Sequence, residues 1–171
     1  DLTRVVAEGD VVALPELDME LSVLEVPGHT RSHIAFYGDG ALFCGDTLFS
    51  IGCGRLFEGS AEQMQSSLDK FSALPPQTRI YCAHEYTQSN CRFALQVEPG
   101  NTALQTRARE VDDARRRGER TVPSTLADEF AANPFMRTRS TDVVNAARKF
   151  NPDVSAGAET MAVIRAWKDR F

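Results

Sequence analysis

Three short segments each end an apolar run on a side chain able to bind a metal. They are Val26-Pro27-Gly28-His29-Thr30, Phe43-Cys44-Gly45-Asp46-Thr47 and Tyr81-Cys82-Ala83-His84-Glu85-Tyr86. Imidazole nitrogen and carboxylate oxygen suit zinc, iron or manganese, and a carboxylate can bridge two such ions. Singly, each segment has a plainer use: His29 after Pro-Gly could cap a turn, and Asp46 before Thr47 could cap a helix. Together, each at the end of a strand-like run, they favour a metal site. His33, the third of the chain's three histidines, faces into an apolar strand and reads as a support for the ligands or a core residue. Cys53, between Gly52 and Gly54, belongs to a tight loop near the site; with no spare base evident, a nucleophilic role is disfavoured.

Strands must hold these segments, because strand ends are rigid yet open to solvent. Met19, Leu21 and Val23 alternate with polar residues, as in a half-buried strand. The stretch 33–44 reads as a hairpin turning at Gly38-Asp39-Gly40. Ser60 and Gln63 have capping-box spacing ahead of Met64, Leu68 and Phe71, which share one helical face; Pro75-Pro76 ends that helix, and 79–83 reads as another strand. Past Tyr86 the pattern turns helical. Leu104, Ala108 and Val111 form one apolar face closed by Gly118, and shorter helices fit 125–132, 141–150 and 159–168. The expected organisation is residues 1–86 as the C-terminal part of an α/β layered domain and 87–171 as a helical domain.

The residues also carry a family resemblance. P-G-H-T, then C-G-D-T-L-F followed by G-C-G-R and E-G, then C-A-H-E-Y-T resemble the metallo-β-lactamase superfamily, and glyoxalase II (hydroxyacylglutathione hydrolase) in particular. The stretches 97–101, 121–126 and 133–137 and the ending Arg165-Ala166-Trp167-Lys168-Asp169-Arg170-Phe171 resemble that family's helical C-terminal domain. The implied fold is the second half of an αββα sandwich followed by a helical substrate-binding domain.

The resemblance implies two divalent metal ions, with zinc favoured over iron or manganese. It makes His29 a ligand of one, His84 of the other, and Asp46 the bridge. It makes Tyr86 a glutathione contact and Arg165 with Lys168 the pair that holds a glutathione carboxylate. Arg55 and Phe57 stand where many relatives have Lys and Tyr as substrate contacts; Arg55 keeps the charge, while Phe57 lacks a hydroxyl. The implied reaction is hydrolysis of S-2-hydroxyacylglutathione, such as S-D-lactoylglutathione, by a metal-bridged hydroxide. The products are a 2-hydroxy acid and glutathione, the second step of methylglyoxal detoxification.

One family signature, T-H-x-H-x-D-H, is absent from the sequence. It would supply further ligands to both metals, so the chain reads as part of a longer protein, with one face of its sheet left open. Two other readings stay in play: another enzyme of this fold, such as a persulfide dioxygenase using one iron, or a metal-poor fragment without activity.

The 171 residues carry a net charge of −5, which gives no general attraction to nucleic acid or anionic membrane. The arginines of 107–120 are interleaved with acids, as on a solvated helix surface. Four cysteines without a C-x-x-C pair read as reduced thiols. The expected setting is a cytoplasmic monomer, an organelle remaining open, whose partner is a small glutathione thioester.

Overall fold

The computed structural model describes residues 4–171. Its strands are β1 (Val11–Leu14), β2 (Met19–Glu25), β3 (Ile34–Gly38), β4 (Ala41–Gly45), β5 (Leu48–Phe49) and β6 (Gly52–Cys53). Helix α1 (Ala61–Ser72) leads into β7 (Arg79–Cys82), then α2 (Thr87–Val97) and α3 (Thr102–Arg116). The chain finishes with β8 (Ser124–Thr125), α4 (Leu126–Ala132), α5 (Thr141–Arg148) and α6 (Ala158–Lys168).

The main sheet has the order β1-β2-β3-β4-β7-β8, and β5 pairs with β6 alone. All neighbours in the main sheet are antiparallel except β4 and β7, which run parallel across the α1 crossover. This parallel pair matters most for the site. It brings the end of β4, followed by Asp46, beside the end of β7, followed two residues later by His84.

Helix α1 forms where its capping box predicts: Ser60 Oγ accepts the Gln63 N–H, and the Gln63 side chain accepts the Ser60 N–H. Met64, Leu68 and Phe71 are buried on one face against Ala35, Leu42, Cys44 and Ile80 of the sheet and Met161 and Ile164 of α6. Each such side chain contributes about 1.5–3 kcal/mol by leaving water. A second cluster joins Leu104, Ala108 and Val111 of α3 to Cys91, Ala94, Ala132 and, from the β5–β6 turn, Ile51. Gly118, at φ 74°, ends α3 as expected.

The other face of the sheet is only partly covered. Val23, Phe36, Phe43 and Tyr81 align across β2, β3, β4 and β7. Phe43 stacks on Tyr81 at 5.2 Å yet stays 40% exposed.

Four strands went unforeseen. Strand β1 is a four-residue edge, and β5 and β6 have two residues each. Strand β8, past the point where the sequence turns helical, adds an edge to the main sheet by pairing with β7. Helix α5 also stops at Arg148, two residues short of its expected end. Among the described residues, no helix is long and apolar enough to cross a membrane.

Candidate functional site

A single cavity of about 580 Å³ gathers the residues singled out in the sequence. His29, Asp46, Arg55, Phe57, His84, Tyr86, Arg165 and Lys168 all line it, joined by Phe49, Cys53, Gly54, Ser89 and Asn90.

The polar ligand candidates are held by backbone. His29 Nδ1 donates to the Arg55 carbonyl at 2.9 Å; a carbonyl can only accept, so Nδ1 carries the proton and Nε2 keeps its lone pair. His33 lies outside the cavity lining. Its Nε2 accepts the Asp46 N–H at 3.1 Å, so it fixes the backbone from which the carboxylate projects. Gly45 is required between them. Its φ is 52°, and a Cβ there would stand 2.5 Å from His33 Nε2. His84 Nε2 lies 3.3 Å from Asp46 Oδ1, and the His84 ring stacks on Tyr86 at 4.8 Å.

As donors, two imidazoles and a carboxylate fit a divalent transition metal, and a histidine with Nδ1 tied to a carbonyl is oriented as a ligand should be. The number of donors is short. Among the described residues, no group of three or more His, Cys, Asp or Glu side chains stands close enough to hold an ion. These residues fit one side of a metal centre.

The cationic wall comes from α6. Arg165 is 3% exposed and already engaged: Nη1 donates to the Cys53 carbonyl at 2.9 Å and Nη2 to Asp169 Oδ1 at 3.1 Å. Arg55 reaches the same Asp169 oxygen at 3.6 Å, so the two guanidinium groups share one carboxylate and a net positive charge remains. Lys168 Nζ donates to Asn90 Oδ1 and sits 5.7 Å from the ring centres of Phe93 and Phe135. Burial, and then the Arg165 charge, push its ammonium down to about 8. Burial likewise raises the Cys53 thiol, which suits a packed side chain better than a nucleophile.

Comparison with known proteins places the chain in a family. Residues 3–84 match the profile of the metallo-beta-lactamase superfamily, and 85–171 that of the hydroxyacylglutathione hydrolase C-terminus. A hydroxyacylglutathione hydrolase of Cupriavidus metallidurans is 53% identical over 174 residues, covering 99% of this chain and 65% of the relative. One from Methylococcus capsulatus is 50% identical over 184 residues, covering 99% of this chain and 71% of the relative. The chain belongs to the hydroxyacylglutathione hydrolase family.

It spans 65% and 66% of the length of the family members from Cupriavidus metallidurans and Pseudomonas fluorescens. The fold is shared more widely. ETHE1 from Myxococcus xanthus superposes with a TM-score of 0.56 at 23% identity, covering 95% of this chain and 58% of that one. A metallo-beta-lactamase from Staphylococcus aureus gives 0.56 at 21%, covering 96% and 43%.

Phe49, Ser89 and Asn90 are lining residues that sequence reasoning missed. Asn90 stands four residues after Tyr86 on α2, one helical turn on, and that spacing was an available signal. Phe49 packs on His84 at 6.0 Å and Tyr86 at 5.4 Å through a turn whose shape depends on distant helices.

Proposed function

We propose that this chain carries the substrate pocket and part of the metal site of a hydrolase acting on S-2-hydroxyacylglutathione, releasing a 2-hydroxy acid such as D-lactate and glutathione. What carries the reading is the convergence, in one cavity, of His29, Asp46 and His84 with the cations of α6. Residues 1–86 supply the metal side and 87–171 the α6 cations.

His29 and His84 would each hold one of two divalent ions, zinc favoured, with Asp46 bridging. When bound, such a pair supplies Lewis acidity and a nucleophile available at neutral pH. This chain's own groups orient the parts. His33 holds the Asp46 backbone, and the Arg55 carbonyl selects the His29 tautomer with a free Nε2. Lys168 and Arg165 take a glutathione carboxylate, Arg165 exchanging Asp169 for it. Tyr86 and Arg55 flank the tripeptide, and Phe57, 69% exposed, offers a ring face without a hydroxyl bond. The leaving group is a thiolate. With thiol pKa values near ~8.5, it departs without a strong general acid. The net charge of −5 argues against nucleic acid or an anionic membrane as partner; a small-molecule partner and a cytoplasmic monomer belong to the same proposal.

The test is calorimetric titration of S-methylglutathione into the 171-residue chain without metal. One saturable site, weakened about tenfold or more by Lys168→Met, supports the reading, since a charge-assisted contact is worth that much. Absence of saturable binding, or equal binding by the variant, overturns it.

A further inference from the structure

The β5–β6 turn is held almost entirely from the helical half of the chain. Glu129, on α4, is fully buried, and its Oε2 accepts the Ile51 N–H at 2.8 Å. Asn133 Nδ2 donates to the same oxygen at 2.8 Å, and lies 3.0 Å from the Gly52 carbonyl and 3.3 Å from that of Phe49. Asn90 Nδ2 donates to the Ser50 carbonyl at 2.9 Å, and Arg165 to the Cys53 carbonyl. Every backbone carbonyl from 49 to 53, except that of Ile51, therefore meets a side chain from α2, α6 or the α4 region.

The turn needs such restraint. Ile51 has φ 59°, a left-handed conformation that a β-branched side chain disfavours. Its side chain is buried among Cys91, Ala94, Leu104 and Ala132, so packing and hydrogen bonds fix the residue together. A buried carboxylate is itself costly. Burial raises the Glu129 carboxyl above its ordinary range, against the hydrogen bonds that favour its charged form.

The turn also sets the cavity. Phe49, at one end, packs on His84 and Tyr86. Past the other end, Cys53, Gly54 and Arg55 line the floor, and the Arg55 carbonyl takes the His29 Nδ1–H. Gly54 lies so close to the Asp46 carbonyl that any Cβ would collide with it. A shift of the turn would therefore be felt at His29, Asp46 and His84 together.

We propose that Glu129, seconded by Asn133, is a positioning residue for this site: it clamps the 49–53 turn and so fixes the orientation of His29 and the packing of His84. The role in catalysis rests on the function proposed above; the clamp itself does not.

The experiment reads the histidine side chains of the 171-residue chain by ¹⁵N NMR at pH 8.5. In the unaltered chain His29 is held as its Nδ1–H tautomer. Glu129→Ala is expected to lower that tautomer's excess about tenfold, the equilibrium worth of one lost hydrogen bond, and to move the His84 ring resonances. Glu129→Gln can still accept from Ile51 and Asn133 and keeps the native pattern. Val143→Ala, in the core outside the cavity lining, serves as a control for lost stability and leaves His29 unchanged. If Glu129→Ala does not fold, Glu129→Asp, one methylene short, takes its place with the same expectation. A folded Ala or Asp variant with His29 and His84 signals like those of the control overturns the clamp. Because no ligand binding is read, an intact tautomer response in a chain that binds no S-methylglutathione would sink the proposed function and leave the clamp standing.

Discussion

Lys168 places a cation where burial disfavours one, so replacing it should stabilise the fold while weakening ligand binding. Its ammonium is pushed down from 10.5 to about 8, first by burial and then by Arg165. At pH 7, below both values, the folded chain bears the whole difference, about 3 kcal/mol at 1.36 kcal/mol per unit. Lys168→Met removes that cost but forfeits two ring contacts of about 0.5 kcal/mol each and the Asn90 hydrogen bond of about 1 kcal/mol. The net gain is about 1 kcal/mol, or about 2–4 °C in Tm for a chain of this size.

The sign with pH follows from which state holds the proton. Between about 8 and 10.5 the folded lysine is already neutral while the unfolded one is charged, so the wild-type chain gains stability as pH rises. Thermal melts of both chains from pH 6 to 10.5 should show the variant's advantage full below pH 8, gone near pH 9, and reversed in favour of the wild type by about 2 kcal/mol near 10.5. A variant less stable at pH 7, or an advantage independent of pH, would refute the claim that Lys168 is a desolvated cation.

Two further perturbations test the scaffold. Arg137 makes a two-pronged ion pair with Glu98, whose side chain is 1% exposed, so Arg137→Ala leaves a buried charge unpaired. Urea denaturation should show a loss of about 3–5 kcal/mol, and less once Glu98→Gln is added. Glu85 is opposed by its own burial, but the Thr121 and Thr87 hydrogen bonds outweigh it and hold its carboxyl below the ordinary range. Its contribution is present above pH 4.5 and lost as pH falls through the lowered folded value. Acid titration of wild-type and Glu85→Gln chains should therefore show the wild-type advantage shrinking in that window.

Much of this fold is local, and so was legible. The Ser60–Gln63 box, the hairpin around Gly38-Asp39-Gly40 and the Gly118 stop are each decided by neighbouring residues. The eight cavity residues were legible too, because motif order and the α6 spacing carry them. What escaped is tertiary. Glu129 sits in Ala-Asp-Glu-Phe, which reads as an exposed helix turn, and only the approach of the β5–β6 turn makes it a buried acceptor. The commitment of Arg165 to the Cys53 carbonyl likewise has no local signature, since that partner lies 112 residues away, whereas its Asp169 partner is a local i,i+4 pair. Strand β8 exists because β7 offers an open edge, and two residues show no periodicity.

The most direct test is hydrolysis of S-D-lactoylglutathione, followed by loss of thioester absorbance, in a metal-supplied fusion of this chain to the part of the Cupriavidus metallidurans relative that it does not span. Turnover that falls more than about a hundredfold in Asp46→Ala, together with loss of bound metal, is the predicted result. A folded Asp46→Ala fusion that hydrolyses the thioester at the unaltered rate would contradict the account.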